Sequence, residues 1–195
     1  MMPLTSHTFR QLKDGGVTGI MVDVWWGLSE RDGPKNYNFV PYVELAGLAR
    51  AAGLKMQCVM SFHRCGGNVG DDCNIPIPRW VMDKSSQHAI YYKDRAGRID
   101  EEVVSLFADD QPWFDGRTPI QIYGDFMQQF RTSRNDFFPN TIVEIMVGMG
   151  AAGELRYPSY QLDRWSFCGV GEFQSYDATA VAKVKQAAKA IGRPE

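Results

Sequence analysis

Three short apolar segments, rich in branched side chains, alternate along this chain with segments of helical periodicity. The apolar segments are VTGIMVDVWWG, which begins at Val17, LKMQCVMSF, which begins at Leu54, and TIVEIMVGMG, which begins at Thr141. All three are predicted to be strands, and the first run is typical of a strand that is buried on both faces of a parallel sheet. Because strands that alternate with helices pair in parallel through right-handed crossovers, the sequence predicts an α/β fold built from βα units.

The helical segments carry start and stop signals. PYVELAGLARAAG has Pro41 at a first helical position and Gly53 at its end, and a second helix is predicted from Pro119 through Phe130. SYDATAVAKVKQAAKAIG predicts a helix that a Ser or Asp side chain caps. The long connection between the second strand and the helix at Pro119 is predicted to be irregular, with short helical pieces.

The composition argues against several classes of partner. The 195 residues are 44% hydrophobic, enough for the core of one domain, and the net charge is −2. Acidic and basic residues are interspersed, so we expect neither nucleic acid nor a membrane as a partner. MMPLTSHTFRQLKDGG lacks the hydrophobic core of a signal peptide, so no export is expected. The four cysteines are therefore predicted to be reduced thiols: Cys58, Cys65, Cys73 and Cys168.

Polar side chains follow the ends of the three predicted strands. Asp23 lies at the end of the first strand, His63 at the end of the second, and Glu154 shortly after the third. In parallel α/β folds the reactive groups lie beyond the carboxyl ends of the strands, so these residues form a candidate site. Structural interpretations stay open: Asp23 could cap the following turn, and His63 could be a hydrogen-bonded structural side chain. Glu154 could be the ion-pair partner of Arg156.

Tryptophans and glycines lie beside these strand ends. Trp25 and Trp26 offer flat faces to a sugar ring, but neighbouring strand residues point to opposite faces, so at least one of them is predicted to be core. Gly150 and Gly153 allow the backbone before Glu154 to turn sharply and to approach a ligand closely.

The segment SFHRCGGNVGDDCNIPIPRW, residues 61–80, predicts a functional loop, because long irregular connections are uncommon in compact domains. GGNVGD could close over a ligand at little steric cost. It lacks the lysine and the helix of a phosphate loop, and Asp71 would repel phosphate, so a neutral, hydroxyl-rich ligand fits better. His63, Cys65 and Cys73 match no standard zinc spacing, and we expect no metal and no cofactor.

Two of these segments, SFHRCGGNVGDDCNIPIPRWV and GAAGELRYPSY, closely resemble the signature segments of the β-amylases, the starch-degrading glycoside hydrolases of family 14. GVTGIMVDVWWGLSE, DGRTPIQIYGDFMQQFR and GVGEFQSYD resemble the same family in the same order. The resemblance implies a (β/α)8 TIM-type barrel that removes β-maltose from the non-reducing ends of α-1,4-glucans such as starch. It also implies inversion at the anomeric carbon and no catalytic metal.

The resemblance assigns roles to individual residues. Glu154 matches the general acid that protonates the glycosidic oxygen. Asp23, His63 and Asp71 match residues that hold the terminal glucose units. The mobile inner loop of the family, which acts as a lid, matches eight residues of this sequence: Gly66, Gly67, Asn68, Val69, Gly70, Asp71, Asp72 and Cys73.

The sequence departs from the family pattern in residues and in length. Arg64 stands where the family usually has glutamine, Met146 where glutamate is common, and Ala151 and Gln161 where prolines are usual. A complete barrel needs about 250 residues, so the chain is expected to be one partial catalytic domain, truncated at both ends, with about three to four βα units. That domain would span residues 1–195. The second catalytic glutamate of the family has no counterpart here, so we expect the chain to be inactive by itself.

Two functional hypotheses follow. In the first, the chain is the N-terminal half of a β-amylase; in the second, it is a non-catalytic glucan-binding or regulatory protein with a degenerate amylase fold. Glu154 and the intact loop motif favour the enzyme, since a binding module needs no general acid. Starch chemistry leaves both a plastid and the cytoplasm open as compartments, and the sequence does not indicate an oligomeric state.

Overall fold

A computed structural model describes residues 5–67, 71–133, 135–154 and 173–193 of the chain. The helices are α1 (Ser6–Asp14), α2 (Trp26–Ser29), α3 (Val40–Ala52), α4 (Arg79–His88), α5 (Pro119–Ser133) and α6 (Ala178–Ala190). The strands are β1 (Gly19–Trp25), β2 (Lys55–Ser61), β3 (Tyr91–Lys93), β4 (Ile99–Val104) and β5 (Ile142–Gly148). Within these ranges no helix has the length and apolar character that crossing a membrane requires.

The three strands predicted from the sequence form one parallel sheet. Its order is β1–β2–β5, with β2 in the centre. Trp25 pairs with Ser61, and Ser61 pairs with Gly148, so the carboxyl ends of all three strands lie at one edge of the sheet. Helix α3 connects β1 to β2, as expected for a βα unit. The described residues thus confirm the predicted α/β fold with parallel strands.

Local sequence signals determine where several helices begin and end. Asp177 caps α6 by accepting a hydrogen bond of 2.9 Å from the backbone N–H of Ala180. Pro41 stands in the first turn of α3, where its missing N–H leaves no hydrogen bond unmade. Gly53 ends α3 with a φ of 71°, a left-handed conformation in which a Cβ is strained. The predicted start and stop signals are confirmed at these positions.

The core lies between the sheet and the helices α3 and α5. Its centre is aromatic: the ring of Phe62 lies 4.3 Å from that of Tyr123 and 5.4 Å from that of Phe126. Trp26 packs edge-on against Phe62, with 5.6 Å between the ring centroids. Such contacts stabilise beyond the burial of area alone. These aromatic contacts hold Phe62, and His63 is the residue that follows it in the chain.

Two structural predictions are wrong. β1 is not buried on both faces, since Met21 retains 65% of its accessible surface, and residues 143–147 of β5 are exposed as well. Among the described elements, β5 contacts mainly β2 and the turn at Ala151–Gly153, so nothing there covers its free edge. The long connection is also more regular than predicted. It contains the ten-residue helix α4 and the antiparallel pair β3–β4, which the sequence concealed because β3 has three residues and β4 is largely charged.

Candidate active site

The structure brings the four predicted site residues together. Asp23, His63, Asp71 and Glu154 all line one open cavity of about 550 Å³ at the carboxyl ends of the three parallel strands. The expectation that residues from three separate strand ends converge on one cleft is confirmed. Their individual roles stay predictions. A cavity of this size can hold a small saccharide, since small-molecule sites usually measure about 300–1,000 Å³.

The alternation of β1 determines which of its side chains reach the cavity. Met21, Asp23 and Trp25 share one face of the strand and all line the cavity, whereas Val24 on the opposite face is fully buried. Trp26, in the helix that follows, is 1% exposed and belongs to the core. The prediction that at least one of the two tryptophans is core is therefore confirmed. Trp25 is the one left free to offer an aromatic face to a ligand.

Asp23 is held in place from the neighbouring strand. The Ser61 hydroxyl donates a hydrogen bond of 2.7 Å to the Asp23 carboxylate, and Ser61 itself is completely buried. A fixed carboxylate that keeps its second oxygen available can accept a hydrogen bond from a sugar hydroxyl. Sequence reasoning missed Ser61, although its position two residues before His63 at the same strand end was a usable signal.

His63 lies half-buried in the wall of the cavity. Burial lowers the pKa of its imidazole, while the nearby carboxylates of Asp23 and Asp71 act in the opposite direction and raise it. The ring meets Trp25 edge-on at a centroid distance of 5.2 Å. Its Nδ1 is buried and has no hydrogen-bond partner among the described residues. The imidazole is therefore oriented by packing against Trp25 and Gly153.

Glu154 follows a tight turn that packs against His63. Gly150 and Gly153 have φ values of 88° and 72°, which favour glycine; Gly150 precedes the short 3-10 turn Ala151–Gly153, and Gly153 is its last residue. A Cβ on Gly153 would lie 2.8 Å from Cε1 of His63, closer than van der Waals contact allows. Both glycines therefore serve the sharp turn and close approach that the sequence predicted, although Gly153 approaches His63 and Gly150 approaches the carbonyl group of Glu154.

The loop that carries Asp71 is closed by a disulfide, which corrects the prediction of four reduced thiols. Cys65 and Cys73 are bonded, with their Cα atoms 6.1 Å apart. An antiparallel bridge between Cys65 and Ile75 folds the chain back on itself and brings the sulfurs together, a proximity that cysteine counting does not reveal. The Gly66 N–H donates a hydrogen bond of 2.8 Å to the Asp71 carboxylate within this loop. Cys58 is a free buried thiol, and burial raises its pKa to about 11.

Some predictions fall on residues that the structure does not describe. Asn68, Val69 and Gly70 of the predicted lid lie outside the described ranges, and so do Arg156 and Cys168. The mobility of the lid and the ion pair between Glu154 and Arg156 therefore stay predictions. In the described part of the chain, no group of three His, Cys, Asp or Glu side chains is arranged to hold a metal ion.

Comparison with known proteins agrees with this geometry. The family model of glycosyl hydrolase family 14 matches residues 4–193. Beta-amylase 2, chloroplastic, of Oryza sativa subsp. japonica is 53% identical over 191 residues, which are 96% of this chain and 34% of the relative. The beta-amylase of Glycine max is 50% identical over 188 residues, which are 95% of this chain and 38% of the relative. The chain thus spans little more than a third of the length of these curated relatives.

A solved structure gives the same result for the fold. The catalytic domain of beta-amylase from Paenibacillus polymyxa superimposes with a TM-score of 0.81 at 34% identity, over 97% of this chain and 46% of that one. The parallel sheet described above is accordingly part of a (β/α)8 barrel. Matched by the family model over nearly its whole length, the chain belongs to glycosyl hydrolase family 14.

Proposed function

We propose that this chain supplies the general acid and the sugar-holding side chains of an exo-hydrolase that releases β-maltose from the non-reducing ends of α-1,4-glucans. One observation carries the proposal: Glu154 shares a single cavity with Asp23, His63 and Asp71. The cavity is open and lined by hydrogen-bonding groups, among them the carboxyl groups of Asp23, Asp71, Asp72 and Glu154, which suits a hydroxyl-rich ligand. The names of the plant relatives support the same substrate class.

In this proposal Glu154 protonates the glycosidic oxygen as the bond to the anomeric carbon breaks. Asp23 and Asp71 accept hydrogen bonds from glucose hydroxyls, and His63 binds a hydroxyl through a ring nitrogen. Trp25 packs against a sugar face. Closure of residues 66–73 over the terminal glucose units would exclude bulk water and strengthen each of these polar contacts.

Inversion needs a second carboxylate on the opposite face of the sugar, about 6.5–9.5 Å from the acid, to activate a water. Since Asp23 and Asp71 are assigned to sugar binding, we propose that this general base belongs to the portion of the family barrel that the present sequence does not represent. Residues 1–195 are accordingly part of one catalytic domain and are expected to bind glucan without hydrolysing it. A plastid is the proposed compartment, because relatives with about half of their aligned residues identical are named chloroplastic.

Two measurements test the proposal. Maltotriose titrated into the 195-residue chain should shift NMR signals of Asp23, His63 and Asp71. A fusion of the chain to the remaining barrel segment of the Glycine max relative should release β-maltose from soluble starch, with the anomer followed by NMR. Glu154→Gln in the fusion should lower kcat by about 10²-fold or more while maltotriose binding persists, since it removes a transferable proton and keeps the shape.

The outcomes separate the two functional hypotheses. A fusion that binds maltotriose but stays inactive, with Glu154 intact, would favour the non-catalytic glucan-binding protein. Activity that survives Glu154→Gln would remove Glu154 from the role of the acid. If neither the chain nor the fusion binds maltotriose, the whole proposal is wrong.

A further inference from the structure

The antiparallel pair β3–β4 contains a β-bulge of three residues next to the candidate site. Tyr92 pairs with Asp100, but its neighbour Tyr91 pairs with Val104, so residues 101–103 have no partner in the ladder. Bulges of this kind redirect side chains and are common beside active sites. Because of this bulge, the backbone and the side chain of Glu102 do not pair in the ladder of the hairpin. They face the segments that carry His63 and Glu154 instead.

Glu102 uses three of its groups to join separate parts of the chain. Its N–H donates a hydrogen bond of 2.9 Å to the Asp100 carboxylate, which fixes the bulge. Its carbonyl oxygen accepts a bond of 2.8 Å from the N–H of Arg64, the residue after His63. Its carboxylate accepts a bond of 2.5 Å from the N–H of Ala152, two residues before Glu154. One residue of the hairpin therefore contacts both of the turns that form the wall of the cavity.

The turn at Ala152 needs such a partner. Ala152 has a φ of 53°, a left-handed conformation that costs a residue with a Cβ roughly 1–2 kcal/mol. A hydrogen bond to an ionised carboxylate is about twice as strong as one between neutral groups, so the contact with Glu102 offsets this cost. Gly153, next in the turn, packs against the His63 ring. A small movement at Ala152 would consequently change the distance between His63 and Glu154.

We propose that Glu102 is a positioning residue of the candidate site, which holds the turn Ala151–Gly153, and with it Glu154, against His63. The contribution of Glu102 to catalysis rests on the proposed function. Its effect on the position of the turn does not depend on that function. Nothing about Glu102 was visible in the sequence motifs, since it lies 50 residues before Ala152 in a charged strand. Glu102 does not need to touch the sugar in this role.

The test compares three variants of the 195-residue chain by NMR-detected amide exchange and by maltotriose titration. Glu102→Ala should accelerate exchange of the Ala152 amide by roughly 10-fold or more, because it removes the acceptor, and should weaken maltotriose binding several-fold. Glu102→Gln keeps an acceptor oxygen without the charge and should give intermediate values. Glu101→Gln is the matched control: it removes the same charge from an exposed neighbour and should change neither measurement.

Exchange of amides in β2 distinguishes a local effect from general destabilisation, and it should stay unchanged in all three variants. Equal exchange at Ala152 in the wild-type chain and in Glu102→Ala, together with equal maltotriose binding, would overturn the proposal. If Glu102→Ala does not fold, the proposal is tested by Glu102→Gln alone. An Ala152 amide that exchanges at the wild-type rate in Glu102→Gln would then contradict the proposal. A wild-type chain that binds no maltotriose would refute the proposed function, while the exchange rates would still decide whether Glu102 positions the turn.

Discussion

Gly153 packs so closely against His63 that a Cβ at position 153 would lie 2.8 Å from Cε1 and 3.1 Å from Nδ1 of the imidazole. Gly153 also has a φ of 72°, so two independent constraints favour glycine there. The contact fixes the separation between the predicted acid-bearing turn and the predicted sugar-binding histidine. A side chain larger than glycine at position 153 is therefore expected to disturb the site.

Gly153→Ala should destabilise the chain by more than the roughly 1–2 kcal/mol that backbone strain alone costs, because the new methyl group must displace His63. The His63 ring signals should shift and maltotriose binding should weaken. Gly16→Ala is the matched control, since Gly16 has a φ of 89° but no atom within 4 Å of the position of a Cβ. Equal losses of unfolding free energy in urea for the two variants would contradict the predicted clash.

The disulfide between Cys65 and Cys73 should be detectable in the purified chain without added reductant. Peptide mapping should give one linked pair, and reduction should expose two further thiols. Cys73→Val should lower the free energy of unfolding by about 2 kcal/mol, the low end of the usual range, because the bond closes a short loop. Free thiols at both positions in the oxidised chain, by alkylation and mass spectrometry, would show that the two cysteines do not pair.

The free edge of β5 should make the 195-residue chain self-associate. In the described residues β1 and β5 each have a strand on one side only, and unpaired apolar edges recruit other strands. Val143→Lys should reduce the associated fraction in sedimentation velocity experiments by placing a charge on that edge. The matched control is Val184→Lys, since Val184 is similarly exposed, at 57%, but lies on helix α6. An equal reduction by both variants would indicate a general effect of charge.

Asp109 should make stability depend on pH in a predictable direction. Burial raises the pKa of its carboxyl from 3.8 to about 7, Lys183 lowers it and Asp110 raises it. A folded-state pKa above the unfolded value means that stability is fully present below about pH 4 and is lost as the pH rises toward 7. Asp109→Asn removes this loss, so its advantage in unfolding free energy should grow between pH 4 and pH 7, by an amount on the order of 1 kcal/mol after solvent screening.

Urea titrations at several pH values, run in parallel on the wild-type chain and Asp109→Asn, measure that difference. Other titrating groups contribute equally to both proteins and cancel. A difference that stays constant across this range would mean that Asp109 is ionised in the folded chain as readily as in the unfolded one.

The sequence by itself determined the parallel sheet and the place of the candidate site. Apolar runs identified β1, β2 and β5 because branched and apolar residues favour strands, and Pro41, Gly53 and Asp177 marked helix ends because their effects are local. The convergence of strand-end residues followed from topology, since parallel strands present their carboxyl ends at one edge.

Only the tertiary structure decided which distant groups meet at that edge. The Ser61–Asp23 and Glu102–Ala152 hydrogen bonds join residues 38 and 50 positions apart, and no local periodicity encodes such a pairing. The Cys65–Cys73 bond depended on a bridge that folds the loop back, and the bulge in β4 depended on register. Local preference sets the elements and their ends, whereas contacts between elements are selected by packing of the whole domain, where geometry and burial decide which polar groups find partners.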